Sequence, residues 1–215
     1  MAMPDLFAAE ASRVEPLGDG AALLRGFADA IGDTLFDDVQ RVIAQAPLRR
    51  MVTPGGLQMS VAMTNSGALG WVSDRSGYRY DPLDPLSGKP WPPMPVAFAR
   101  LAQDAAAAAG FAGFVPDVCL VNCYEAGTRL SLHQDRDEHD YAHPIVSVSL
   151  GVGAVFQFGG LQRSDRPLRV RLEHGDVVVW GGPSRLRYHG VLPLEEDMHP
   201  LTGARRFNLT FRKAG

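Results

Sequence analysis

From Pro116 onward the sequence breaks into short segments separated by Gly, Pro and Asp. Each segment has the length and the β-branched or aromatic content of a strand. We expect strands at Val118–Tyr124, Ile145–Leu150, Ala154–Phe158, Leu168–Leu172, Val177–Trp180, Tyr188–Leu192 and Arg205–Arg212. Many short strands with turn signals between them are typical of a sandwich or jelly roll. The second half is therefore predicted to be a β structure.

The first half mixes helical and irregular segments. Apolar residues at helical spacing predict an amphipathic helix over about residues 29–45, and an Ala-rich segment predicts a second helix over 95–109. We also expect a strand at Ala21–Phe27, a hairpin within Met51–Asn65 and a long ordered surface loop over Trp71–Pro95. Residues 1–20 are interpreted as an irregular N-terminal extension. A chain of 215 residues with 46% hydrophobic content predicts one domain, 1–215.

Composition narrows the classes of partner. The net charge is -3, so any contact with nucleic acid must come from a local patch. The N-terminus has no basic region and no long apolar run, which predicts no secretory signal and no membrane span. Cys119 and Cys123 lie too close on one strand-like segment for a disulfide, and free thiols fit a reducing cytosol. We expect a cytoplasmic monomer.

Three residues form a candidate metal site. His133 and Asp135 are two positions apart, so on an extended segment they face the same side, and His189 would come from a distant strand. Two imidazoles and one carboxylate suit Fe(II) with open coordination positions. Zinc remains an alternative from ligand identity alone, and a His-x-Asp pair can also arise by chance.

The last strand carries a row of polar residues. Arg206, Asn208, Thr210 and Arg212 share one face, and a second strand places Asn122 and Tyr124 on one face in the same way. This row contains no acidic residue, so it is suited to bind a carboxylate or keto acid through charge-assisted hydrogen bonds. The alternative is an edge strand with a solvated polar face.

Several longer segments resemble the AlkB family of Fe(II)/2-oxoglutarate-dependent nucleic-acid dealkylases. The matching segments span nearly the whole chain and include Met51–Gly56, Ser60–Asn65, Ser131–Asp135, Pro144–Gly151, Phe156–Gly160 and Glu173–Gly182. The resemblance implies a mainly β (α+β) fold, a double-stranded β-helix (jelly roll) with N-terminal helices and a nucleotide-recognition lid at about residues 45–95.

The resemblance also implies roles for individual residues. The iron ligands would be His133, Asp135 and His189. The residues that bind 2-oxoglutarate would be Asn122, Tyr124, Arg206, Asn208 and Arg212. Arg212 is expected to hold the distal carboxylate more directly than Arg206, although the sequence leaves open which Arg takes which end.

The implied substrate is an N-alkylated base, such as 1-methyladenine or 3-methylcytosine, in single- or double-stranded DNA and also in RNA. Oxidation of the alkyl group by Fe(II), O2 and 2-oxoglutarate would release formaldehyde, succinate and CO2. The substrate-binding residues would be Trp71, Tyr78, Asp137, Arg163, Thr53, Met63 and Ser131.

The candidate substrate-binding residues also have purely structural explanations. Trp71 could cover a small core, and Asp137 could be a solvated loop carboxylate. Two other functions also remain open: the same chemistry on RNA, tRNA or protein, and a metal-binding jelly roll without turnover.

Overall fold

The structure is a computed structural model and describes residues 14–215. The strands of this part are β1 Val14–Gly18, β2 Ala21–Leu24, β3 Ala62–Gly67, β4 Gly70–Asp74, β5 Gly77–Asp81, β6 Val118–Tyr124, β7 Leu130–His133, β8 Ile145–Gly151, β9 Ala154–Phe158, β10 Leu168–Leu172, β11 Val177–Trp180, β12 His189–Val191 and β13 Arg206–Arg212. The α-helices are α1 Gly32–Gln45 and α2 Val96–Ala108, and 3-10 turns lie at Asp29–Ile31 and Gly182–Ser184.

Two antiparallel sheets face each other. The major sheet has the strand order β1-β2-β11-β8-β13-β6-β3, and the minor sheet has the order β10-β9-β12-β7. From β7 onward the chain alternates between the sheets: β7 lies in the minor sheet, β8 in the major, β9 and β10 together in the minor, β11 in the major, β12 in the minor and β13 in the major. This alternation is typical of a jelly roll. The predicted fold class is confirmed.

The helices cover the outer face of the major sheet. Leu35, Val39 and Val42 recur along one side of α1 and are buried together with Phe98 and Leu101 of α2. From the sheet, every second residue of β13 enters the same core: Phe207, Leu209 and Phe211. The polar residues between them therefore face the minor sheet. No helix within residues 14–215 is long and apolar enough to cross a membrane.

Register places the polar rows side by side. β13 lies between β6 and β8, so Arg206 is opposite Tyr124 and Asn208 is opposite Asn122. On the other flank, Asn208 is opposite Ser149. Because the strands alternate, this pairing brings Arg206, Asn208, Asn122, Tyr124 and Ser149 together on the face toward the minor sheet. We call this row of polar residues on β13, β6 and β8, which ends at Arg212, the polar lane.

Most predicted strands are confirmed within one residue at each end, and both helices are confirmed, although the first begins with a 3-10 turn. Three expectations were wrong. The predicted extension over 1–20 includes the strand β1 at Val14–Gly18; its first 13 residues lie outside the described part. The predicted strand Ala21–Phe27 ends at Leu24. The predicted loop over Trp71–Pro95 begins with a hairpin, because β4 pairs with β5.

The hairpin predicted within Met51–Asn65 is present only as a short turn. Val52 and Gln58 form an isolated bridge around Pro54-Gly55-Gly56. Residues 62–67 instead form β3, which pairs with β6 at the edge of the major sheet. Part of the segment 45–95 is therefore scaffold, and the β4–β5 hairpin and the turn around Gly55 are the parts that stand outside the sheets.

Gly151 closes β8 beside Arg206 and should tolerate no side chain. Its φ is +88°, and a Cβ there would collide with the Thr202 hydroxyl and the Arg205 carbonyl. We expect Gly151→Ala to lower the free energy of unfolding by about 3 kcal/mol, combining left-handed strain with overlap. Gly127→Ala is the matched control: its φ is +79° with nothing within 4 Å, so only strain of about 1 kcal/mol is expected. Urea unfolding of both variants measures the difference, and equal losses would contradict the collision.

Candidate active site

The structure brings the three predicted metal ligands together. His133 ends β7, and pairing with β12 sets His189 directly opposite. Asp135 follows two residues after His133, with its Oδ1 3.6 Å from the Nε2 of His133 and its Oδ2 3.7 Å from the Nε2 of His189. One ligand atom from each residue lies within 4.8 Å of the others. Two imidazole nitrogens and one carboxylate oxygen thus converge on one point.

Backbone contacts orient both imidazoles. The Nδ1 of His133 lies 2.9 Å from the Ser131 carbonyl, and the Nδ1 of His189 lies 3.1 Å from the Arg187 carbonyl. A carbonyl can only accept, so each Nδ1 carries the proton and each Nε2 is left free as a ligand. Burial lowers the pKa of His189 to about 4, which keeps this imidazole neutral near pH 7.

Arg212 engages the carboxylate of the site. Its Nε and Nη2 donate to the Oδ2 of Asp135 at 2.9 and 2.6 Å. Burial alone would raise the pKa of Asp135, but the charge of Arg212 and the two imidazoles hold that pKa far below its usual range. The carboxylate is therefore ionised and fixed in orientation, as a metal ligand must be.

Arg206 is a buried cation of the polar lane and forms no ion pair within residues 14–215. Its side chain is buried, with the residue 1% exposed, and its Nη2 donates to the Ser149 hydroxyl at 2.9 Å. Its Nε and Nη1 are buried and have no partner among residues 14–215. Burial lowers the pKa of Arg206, yet no carboxylate lies within ion-pair distance in the described part of the chain. A guanidinium in this position requires an anion.

Neutral hydrogen-bonding groups connect the two arginines. Asn208 donates to the Ser147 hydroxyl at 2.8 Å and accepts from Asn122 at 3.2 Å and from Thr210 at 2.9 Å. The Oδ1 of Asn122 is buried without a partner in the described structure. Arg206 and Arg212 lie six residues apart on one strand, about 20 Å between their Cα atoms. Because Arg212 already binds Asp135, Arg206 and the adjacent Asn122 are the groups in this row that remain available to a carboxylate.

The predicted base-binding residues lie on the hairpin and near β7. Trp71 and Tyr78 stack with ring centroids 5.7 Å apart at 13°. The Nε1 of Trp71 donates to the Oδ2 of Asp137 at 2.8 Å, so an aromatic wall and a carboxylate meet two residues after Asp135. Arg163 lies over the ring of Tyr188, which directly precedes His189.

The other residues predicted to bind the substrate differ in their exposure and in their contacts. Ser131 is exposed, and its carbonyl orients His133. Thr53 accepts from the Leu57 amide and closes the turn. Met63 is 3% exposed and packs between the sheets, so it lies in the core rather than at an open rim. Trp180 is buried against His189, with ring centroids 4.9 Å apart.

Sequence reasoning missed Ser147 and Ser149 on β8, and Tyr80, Glu138 and Arg185 behind Asp135. The two serines could have been found, because they alternate with apolar residues on a predicted strand. Glu138 had no such signal. It belongs to the run Asp135–Glu138, which resembles a solvated loop, yet it is 5% exposed.

Comparisons with known proteins agree with this geometry. The sequence profile of the 2OG-Fe(II) oxygenase superfamily matches residues 20–212. The chain is 61% identical over 212 residues to the alpha-ketoglutarate-dependent dioxygenase AlkB of Salmonella typhimurium, covering 99% of this chain and 98% of that protein. It is 58% identical to AlkB of Escherichia coli, covering 99% of each. The solved structure of OsALKBH1 has a TM-score of 0.79 at 30% identity, covering 93% of this chain and 99% of that one.

Proposed function

This chain belongs to the AlkB family of the 2OG-Fe(II) oxygenase superfamily, and we propose that it removes N-linked alkyl groups from nucleic-acid bases. It is an Fe(II)- and 2-oxoglutarate-dependent dioxygenase. One observation supports the placement of the cosubstrate above all others: Arg206 is a buried guanidinium with two nitrogens that have no partner within residues 14–215. It lies on the same strand as Arg212, which binds Asp135. A non-catalytic metal-binding protein would have no use for this charge.

We assign His133, Asp135 and His189 as iron ligands, with three protein ligands leaving positions for cosubstrate and oxygen. Arg206 would bind the distal carboxylate of 2-oxoglutarate, with Tyr124 on the strand position opposite. Asn122 and Asn208 would donate or accept along the chain of the keto acid. Arg212 is already bonded to Asp135, so the geometry favours Arg206 over Arg212 for the distal end. When bound, Fe(II), O2 and 2-oxoglutarate would supply the oxidation: one oxygen atom would convert the N-methyl group to N-hydroxymethyl, which is lost as formaldehyde, and 2-oxoglutarate would take the other and leave as succinate and CO2.

The proposed substrates are 1-methyladenine, 3-methylcytosine and related lesions. Such bases carry a positive charge and pair poorly, so extruding them costs less than extruding a paired base. The base would lie between Trp71 and His133, with Asp137 accepting from its exocyclic amine. Tyr78 is 47% exposed and stacks on Trp71 on the same face of the hairpin, and its hydroxyl would reach a backbone phosphate. Arg163 would border the same opening.

A change at Asp137 should discriminate between charged and neutral lesions. We expect Asp137→Ala to lower kcat/KM for 3-methylcytosine by about tenfold or more, the effect of one charge-assisted hydrogen bond. A neutral etheno adduct should lose much less. Parallel assays on two oligonucleotides of the same sequence measure this, and equal losses would deny Asp137 a role in sensing charge.

The test of the function itself is direct. Wild-type protein is incubated with Fe(II), ascorbate, 2-oxoglutarate and a single-stranded oligonucleotide that contains 3-methylcytosine. We expect formaldehyde and succinate in equal amounts, and none with His189→Ala. A matched RNA oligonucleotide and a methylated tRNA show whether RNA shares the activity. Succinate without any base repair would refute the substrate, and neither product would refute the enzyme.

The proposal also covers the oligomeric state, the location in the cell and the lid over the base. The proposed protein is a monomer that acts on single- and double-stranded DNA, since the assigned metal ligands and carboxylate-binding residues need no residue from a second copy. Cys119 and Cys123 are free and buried, which supports action in the reducing cytoplasm. The turn around Gly55 and the β4–β5 hairpin, within residues 45–95, would form the lid over the base.

A further inference from the structure

We propose that Glu138 is a positioning residue that ties the β4–β5 hairpin to the metal ligand Asp135, with Tyr80 as its partner on the hairpin. The inference deepens the proposed function and rests on it wherever base turnover is the readout. It concerns residues that neither touch the metal site directly nor line the opening for the base.

Glu138 is a buried carboxylate with partners on three sides. Its side chain is 1% exposed, and its Oε1 accepts from the Tyr80 hydroxyl at 2.6 Å. Its Oε2 lies 3.0 Å from the Nη2 of Arg185, and its Oε1 lies 3.4 Å from the Nε of Arg212. The contact with Arg185 is an ion pair without a hydrogen bond, because Oε2 has no hydrogen-bond partner within residues 14–215. The carboxylate is therefore held by the Tyr80 hydroxyl and by two positive charges, as a buried carboxylate requires.

Both arginines hold Asp135. Arg212 donates twice to its carboxylate, and the Nη1 of Arg185 donates to its backbone carbonyl at 2.8 Å. Glu138 thus contacts the two groups that set the position of Asp135, one through its side chain and one through its backbone. Partners of this kind orient the ligand itself.

On the hairpin, Tyr80 is directly opposite Trp71 in the pairing of β5 with β4. These two opposed residues contact consecutive carboxylates: Trp71 donates to Asp137, and Tyr80 donates to Glu138. The hydrogen bond from Trp71 to Asp137 is exposed, so it can break when the amine of a base donates to Asp137 instead. The hydrogen bond from Tyr80 to Glu138 is shielded from water and independent of the base, so it keeps the hairpin beside the metal ligands during that exchange.

The main test is Tyr80→Phe, which removes one hydroxyl and keeps the ring. We expect unchanged Fe(II) affinity and unchanged succinate formation in the absence of oligonucleotide. With a 3-methylcytosine oligonucleotide, KM should rise at least fivefold at nearly constant kcat. Succinate should exceed formaldehyde by twofold or more, because the base is held poorly at the metal.

Ser73→Ala is the matched control. The Ser73 hydroxyl donates to the Val52 carbonyl at 2.8 Å, so it fastens the same hairpin to the turn segment and not to the metal segment. This variant should loosen the hairpin but leave the succinate-to-formaldehyde ratio at one. A ratio that rises equally in both variants would show that Tyr80 only stabilises the hairpin, and would overturn the proposal.

A measurement that needs no turnover of a base tests this proposal independently of the proposed function. Amide hydrogen exchange is followed with and without Fe(II) plus 2-oxoglutarate under anaerobic conditions. Binding at Asp135 should slow exchange in residues 70–81 of the wild type at least threefold, and not in Tyr80→Phe. This result would stand even if no alkylated base were turned over. No slowing in the wild type, or equal slowing in Tyr80→Phe, overturns the coupling. Glu138→Gln should behave as Tyr80→Phe in this assay if it folds.

Discussion

Replacing Arg206 by Met should nearly abolish the response to 2-oxoglutarate while leaving the ligand-free protein at least as stable as the wild type. The lost contact is a charge-assisted, bidentate one, about 2–3 kcal/mol, which corresponds to a KM for 2-oxoglutarate raised roughly 30- to 150-fold. Stability should not fall, because the guanidinium is buried with two unpartnered nitrogens until an anion arrives. An apolar chain of similar length removes that cost.

Two measurements check this pair of effects. Succinate formation is titrated with 2-oxoglutarate, and thermal unfolding is followed with and without the keto acid. Arg205→Met is the matched control, since Arg205 is the neighbouring residue, exposed on the opposite side of the strand; its KM should stay near the wild-type value. If Arg206→Met kept its 2-oxoglutarate KM, the distal carboxylate would have to be bound elsewhere in the lane.

The same strand shows how far sequence alone can reach. Alternation along Arg206–Arg212 is enough to predict which side chains share a face, because the strand period is two. It cannot tell the two arginines apart, since both are spaced evenly on that face. Their difference comes from neighbours distant in sequence: Arg212 binds the Asp135 carboxylate, whereas Arg206 contacts the neutral Ser149 hydroxyl and lies over the Tyr124 ring. The expectation that Arg212 holds the distal carboxylate more directly was based on sequence alone, which does not show these contacts.

The missed strands have a related physical cause. β1 contains Pro16 and Gly18 and is mostly exposed, so its strand character comes from pairing with β2 and not from its own pattern. The β4–β5 hairpin is rich in Gly and closes through Asp74, whose carboxylate accepts from the Ser76 amide at 2.8 Å. Turn residues indicate a loop and a hairpin equally well. The central strands β6, β8 and β11 are buried at every position, and their β-branched and apolar residues made them predictable.

The site behind Asp135 was beyond sequence reasoning for a similar reason. Nothing in the run Asp135–Glu138 distinguishes a solvated carboxylate from a buried one, because burial of Glu138 depends on Arg185 and on a hairpin that the sequence did not predict. The three candidate metal ligands could be singled out from residue type and spacing, and the structure brings them together. The residues that position them depend on the tertiary fold.

Asp135→Asn should have two separable consequences, because the carboxylate binds Arg212 and is also the proposed metal ligand. An amide oxygen is a poor substitute for a charged ligand, so we expect Fe(II)-dependent succinate formation to disappear and the rise in melting temperature on adding Fe(II) to vanish. The metal-free protein should also lose about 2–3 kcal/mol of unfolding free energy, since Arg212 is left buried with its charge only partly matched by Glu138.

Asp137→Asn separates these effects from a general loss of charge in the segment. Asp137 lies two residues further on and contacts Trp71, so its amide variant should bind Fe(II) normally and unfold within about 1 kcal/mol of the wild type. Metal titration and urea unfolding of the two variants, with and without Fe(II), provide the comparison. A protein with Asn at position 135 that still turned over 2-oxoglutarate would exclude Asp135 as a ligand. One that kept its metal-free stability would show that the ion pair with Arg212 contributes little to folding.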